Sequence, residues 1–136
     1  MKDSHKAILI TLVLGIAALA LSKVIWPIPS SMPHPTDSQL PFFIFLSLVE
    51  SLLFGLGVAF IVFAWPLVAS KGRDDKLAFI ALAWMLVSWW PHDNLHQMVG
   101  MDFGGLLYIE YGFHLTLIIA SLILANYCYT AWKGRK

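Results

Sequence analysis

Two short polar motifs in an otherwise apolar sequence contain the residues best suited to chemistry. One is HDNLH and the other is IEYGFH. In the first, His92 and His96 are four residues apart, and in the second Glu110 and His114 have the same spacing. Residues four apart share one face of a helix. Ionisable groups are costly to bury in a bilayer, so their presence in apolar segments indicates function by default.

Imidazole and carboxylate side chains together suit copper, zinc or iron. We therefore predict a transition-metal site formed by His92, His96, Glu110 and His114. Neighbouring polar groups can hold ligating imidazoles in position. Three further residues are expected to orient the ligands or to relay protons: Glu50, Asp93 and Asn94.

No standard catalytic motif accompanies these residues. HDNLH lacks the general-base glutamate of the zinc-protease motif HExxH. The spacing of Glu110 and His114 differs from the three-residue spacing of di-iron bundles. Catalytic residues therefore stay unassigned. Haem is not expected, because His114 is the only histidine placed deep in an apolar segment, and no nucleotide cofactor is expected either.

The composition indicates a membrane protein. The chain has 136 residues, of which 59% are hydrophobic and 12% are charged, whereas soluble domains average about 45–50% and ~25%. The net charge of +1 gives no support for nucleic-acid binding. Cys128 is the single cysteine, so an internal disulfide and a four-cysteine metal site are both excluded.

The sequence predicts one all-α domain, a bundle of four transmembrane helices. A spanning helix needs about 20 mainly apolar residues, and proline restricts the residue that precedes it, so Pro91 predicts a break in the third helix. The predicted helices cover residues 7–26, residues 40–70, residues 77–97 with a break near residue 90, and residues 105–132.

The positive charges predict the orientation of these helices. Eight of the nine lysines and arginines lie at the N-terminus, in the KGRDDK turn or in the C-terminal tail, and Lys23 is the exception. The positive-inside rule then places both termini in the cytoplasm of a multi-pass plasma-membrane protein. The basic start, the apolar run and residues 18–20 (ALA) could instead form a cleavable signal peptide, but the length of the run favours a retained helix.

The segment from WWPHDNLHQMVG to GLLYIEYGFH, within residues 84–120, resembles a group of small four-helix proteins associated with the copper membrane monooxygenases, the methane and ammonia monooxygenase superfamily. That resemblance implies an accessory chain packed against larger membrane subunits. It also implies that the polar site faces the copper-bearing outer side of the complex. Membrane lipids are the other expected partners.

Other interpretations stay open. Four helices that enclose acids and histidines resemble in outline the sterol isomerases of the emopamil-binding type. A stand-alone enzyme of that kind would use Glu110 or Glu50 as acid or base, with Trp89 and Trp90 as cation–π partners. Alternatively, the histidines of HDNLH could simply contact water and headgroups, and the protein could be a structural subunit without chemistry of its own.

Overall fold

A computed structural model describes residues 3–32, 34–99 and 103–134, and within these ranges the ordered elements are all helices. There are five helical segments. They are α1 (Asp3–Ile25), α2 (Leu40–Val68), α3 (Arg73–Val87), α4 (Trp89–Val99) and α5 (Phe103–Lys133). The all-α prediction is confirmed, whereas the number of membrane crossings and the side of each terminus stay predictions.

Among the described helices, three are long and apolar enough to cross a membrane. They are α1, α2 and the part of α5 from Leu106 to Lys133. Helix α3 has 15 residues, which corresponds to about 22 Å and falls short of a hydrocarbon core of about 30 Å. A fourth crossing would therefore need α3 and α4 together.

The break between α3 and α4 lies at Ser88, two residues before the predicted position. The Ser88 N–H donates to the Trp84 carbonyl, and the Ser88 carbonyl accepts from the His92 N–H. The chain therefore stays close to a helical path across the break. Pro91 lies in the first turn of α4, where its missing N–H has little cost, and this explains why the helix restarts before the proline.

Two other helix limits also differ from the predictions. Helix α3 begins at Arg73 instead of residue 77, with Gly72 extended before it and two aspartates in its first turn. Acidic side chains stabilise a helix N-terminus, so the polar turn supplies part of the helix. Pro66 lies inside α2, which ends soon afterwards at Val68.

Helices α1, α2, α3 and α5 pack in a row in that order, and α4 packs against α2, α3 and α5. Glycines allow the closest approaches. A Cβ added at Gly55 would lie 2.8 Å from the Gly15 nitrogen and nearer still to the Thr11 carbonyl oxygen. A Cβ at Gly57 would lie 2.5 Å from the Val87 side chain. Small residues at such positions let membrane helices approach closely.

The close α1–α2 contact predicts the effect of enlarging Gly55. Gly55→Leu should destabilise the protein by about 1–3 kcal/mol or more, because the added side chain meets the α1 backbone. Unfolding of the purified protein in detergent measures this loss. Gly112→Leu is the matched control, since an added Cβ there meets nothing within 4 Å. Equal stability of the two variants would contradict the packing described.

Candidate metal centre

Glu110 on α5 lies among three histidines, two of which come from α4. Its Oε1 is in contact with His96 Nε2 and lies 3.5 Å from His92 Nε2. Its Oε2 lies 2.8 Å from His114 Nδ1, one helical turn further along α5. The two motifs of equal spacing therefore converge through a single carboxylate.

The imidazoles also contact one another and the backbone. His92 Nε2 and His96 Nε2 are 3.1 Å apart, so one nitrogen can donate and the other accept. His114 Nδ1 also lies 3.0 Å from the Glu110 carbonyl oxygen. Each histidine of the cluster thus has at least one polar partner within hydrogen-bond distance.

An aromatic ring fixes the orientation of the most buried imidazole. The rings of His92 and Phe113 are stacked, with centroids 3.6 Å apart and planes inclined by 10°. Trp89 packs edge-on against Phe113, with centroids 5.2 Å apart. The His92 side chain is 11% exposed, whereas that of His114 is 57% exposed. The cluster therefore has a buried end at His92 and an open end at His114.

The geometry of His92, Glu110 and His114 would suit a metal ion. One ligand atom from each of these residues lies within 4.8 Å of the other two. Ligand atoms bonded at ~2.1 Å in tetrahedral geometry would be ~3.4 Å apart, so small side-chain movements would suffice. His96 could join the group, because it contacts both Glu110 and His92.

Glu50 and Asp93 form a separate carboxyl pair between α2 and α4. The two carboxyl groups are close enough to interact electrostatically, and Gln97 Nε2 donates to Asp93 Oδ2 at 2.7 Å. Glu50 Oε2 is buried without a partner among the described residues. Glu50 therefore lies near Asp93, on the side of α4 that faces α2.

Asn94 lies on the other side of α4. Its Nδ2 donates to the Trp90 carbonyl at 2.7 Å, so its amide nitrogen is engaged by the backbone. A supporting role for Asn94, Asp93 and Glu50 toward the histidines stays a prediction. Asp93 is the best placed of the three, because it is adjacent to His92 in the chain and is held by Gln97.

Sequence reasoning overlooked Phe113 and Gln97. Phe113 is three residues after Glu110, so helical spacing alone places it on the same face as the carboxylate. Gln97 is four residues after Asp93, which is the spacing of a helical side-chain hydrogen bond. Both spacings can be read from the sequence, but phenylalanine and glutamine are neither metal ligands nor common acids or bases, so neither residue was singled out.

No protein-family model, curated protein or solved structure matches this chain. The resemblance of residues 84–120 to monooxygenase-associated proteins therefore stays an expectation.

The contacts of Glu110 predict energetic coupling between α4 and α5. In a double-mutant cycle, Glu110→Ala and His96→Ala should show a coupling energy of about 0.5–3 kcal/mol, as residues in contact do. Unfolding of each variant in detergent supplies the four required free energies. The control cycle pairs Glu110→Ala with His34→Ala, which alters a histidine in the α1–α2 loop, and additive effects are expected there. Additivity in both cycles would show that the Glu110–His96 contact contributes no energy.

Proposed function

We propose that this protein binds a transition-metal ion, with His92, His96, Glu110 and His114 as the ligands. The observation that carries the proposal is the convergence of imidazole nitrogens from two helices on one carboxylate. A metal ion would use the lone pairs that hydrogen bonds now occupy. Imidazole and carboxylate ligands suit copper, zinc or iron, and the proposal includes each of these.

A bound ion would act as a Lewis acid or as a redox centre, according to its identity. The chain itself contributes position and access. Phe113 holds the His92 ring by stacking, and the exposed side of His114 leaves the cluster open at one end. The buried end would exclude water from one side of the ion, and the open end would admit a small molecule.

The membrane arrangement belongs to the same proposal. Helices α1, α2 and α5 would each cross the bilayer, and α3 with α4 would complete a fourth crossing. The distribution of lysine and arginine supports cytoplasmic termini. The cluster would then lie in the outer half of the membrane, because α4 and the start of α5 are at the end of the molecule opposite the basic turn before α3.

The exposed face of α5 supports a role as a subunit of a larger membrane metalloenzyme. Large side chains follow one another at alternating intervals of three and four residues, and each is more than half exposed: Tyr108, Tyr111, Leu115, Ile118 and Leu122. This interval is typical of a helix that packs against a partner helix. A copper-dependent membrane monooxygenase is the candidate complex that the sequence resemblance suggests.

A stand-alone enzyme for a hydrophobic substrate is the second candidate. It is favoured by a cavity of about 730 Å³ beside Trp90, which is large enough for a small organic molecule. The carboxyl groups proposed as acid or base, Glu50 and Glu110, are not among the described residues that line it. Acid–base chemistry would therefore need a substrate bound elsewhere, and we favour the subunit role.

Metal binding is tested on the purified full-length protein in detergent. Zn²⁺ and Cu²⁺ are added separately, and the expected stoichiometry is about one ion per chain. His92→Ala and Glu110→Ala should each weaken binding at least about a hundredfold, since even residues that only support ligands cost 10–100-fold. Affinity should also fall as the pH is lowered, because imidazole ligands must be deprotonated.

His34→Ala is the matched control for these variants, because His34 is exposed in the loop between α1 and α2. It should leave the affinity unchanged. Equal metal binding by wild type, His92→Ala and Glu110→Ala would refute the proposed centre, and so would loss of binding in His34→Ala alone.

The subunit role predicts that partner proteins remain bound when the protein is isolated from its own membranes in a mild detergent. Leu115→Gln should release them, because it places an amide in the α5 interface. Ile16→Gln, at an exposed position of α1, should not. Mass spectrometry of the two isolates makes the comparison. Recovery of the wild-type chain alone would argue against an accessory subunit.

A further inference from the structure

A cavity lies on the face of α4 opposite the histidine cluster. It is the cavity of about 730 Å³, which is bounded by α1, the following loop, α2 and α4. Trp90, Asn94 and Gln97 form its α4 wall, and their spacing of four and three residues places them on one helical face. His92 and His96 project from the other face, so this cavity is distinct from the candidate metal centre.

The inner part of the cavity is enclosed and partly aromatic. Trp90 is 7% exposed, and its indole packs against Trp26 and Phe54, with centroids 4.6 and 4.7 Å away. The Trp90 N–H donates to Ser22 Oγ at 3.0 Å, which holds the ring in place. Ser51 lies in the same lining, and its buried hydroxyl has no partner among the described residues.

The α2 wall is mainly apolar. Leu40, Phe43, Ile44 and Leu48 contribute to it, at intervals that keep them on one side of the helix. Leu19 extends the apolar surface on α1. This wall suits a hydrocarbon chain or ring system, which gains about 25 cal/mol for each Å² of apolar surface removed from water.

The mouth of the cavity is polar and positively charged. Lys23, His34 and Gln39 are exposed there. Lys23 forms no ion pair within the described residues, and none of the described lining residues is an aspartate or glutamate. A single unpaired cation beside an apolar cavity favours a ligand with an anionic head group.

We propose that this cavity binds an amphiphile that has an anionic head group and a single elongated apolar chain. The head group, a carboxylate or a phosphate, lies at Lys23, and the chain lies between α1 and α2 and extends toward Trp90. This inference does not depend on metal binding by the histidine cluster.

The tryptophans of the cavity provide a direct readout. The full-length protein is placed in phosphatidylcholine nanodiscs and titrated with a fatty acid that carries bromine in mid-chain, which quenches tryptophan fluorescence on contact. We expect saturable quenching by the brominated acid. Ser47→Phe should abolish the saturable part, because Ser47 lines the cavity and the larger ring would fill it. Quenching that remains in Ser47→Phe measures acid dissolved in the bilayer.

The head-group contact is tested by Lys23→Gln, which should weaken binding about tenfold or more, because charge-assisted hydrogen bonds are among the stronger ones. Lys71→Gln is the matched control, since it removes a lysine from the turn between α2 and α3. Its affinity should equal that of wild type. This substitution changes only the mouth of the cavity and leaves its interior intact. It therefore tests head-group binding even if Ser47→Phe does not fold.

Competition with unlabelled amphiphiles separates the two head groups. Displacement by a single-chain carboxylate identifies a fatty-acid site, and stronger displacement by a single-chain phosphate identifies a lysophosphatidate-type site. Either result supports the proposal. Equal displacement by the neutral methyl ester, equal affinity of Lys23→Gln and wild type, or quenching that never saturates would each overturn it.

Discussion

The contact of Glu110 with the histidines is the interaction on which the candidate centre depends. An ionised carboxylate in an apolar setting is unfavourable unless charges or hydrogen bonds compensate it. Here three imidazoles surround the carboxylate, two of them from another helix. The contacts of Glu110 with His92 and His96 therefore help to hold α4 against α5. A metal ion bound here would find the imidazole and carboxylate side chains already held close together by hydrogen bonds.

Helix α4 positions both of the sites described. It has 11 residues, too few to be stable alone in water, and its neighbours hold it by side-chain contacts on every side. Phe113 and Glu110 contact one face, Glu50 lies near Asp93, and Trp26 packs against Trp90. The hydrogen bonds on both sides of Ser88 keep α4 close to the helical path of α3. Helical spacing places the two histidines on one face of α4 and the residues of the cavity wall on the opposite face.

The helices and the faces of the two motifs could be predicted from the sequence, whereas contacts between distant helices could not. Apolar length predicted α1, α2 and α5 to within a few residues, because hydrocarbon thickness sets a narrow range. The spacing of four residues predicted that the two polar residues of each motif share one helical face. In the structure these two faces meet at Glu110. The Glu50–Asp93 pair was not foreseen, because it depends on the rotation of α2 relative to α4. The cavity was also missed, since its walls come from residues distant in the chain.

The Trp90–Ser22 hydrogen bond spans 68 residues of chain, whereas most helix packing joins elements that follow each other closely. Contacts of short sequence separation form with little loss of chain entropy, and distant contacts form later. The α1–α2 hairpin, with its backbones touching at Gly15 and Gly55, can therefore assemble before α4 is in place. On this ordering, the loop from α1 to α4 would close late in biogenesis, and the aromatic wall of the cavity would be completed only then.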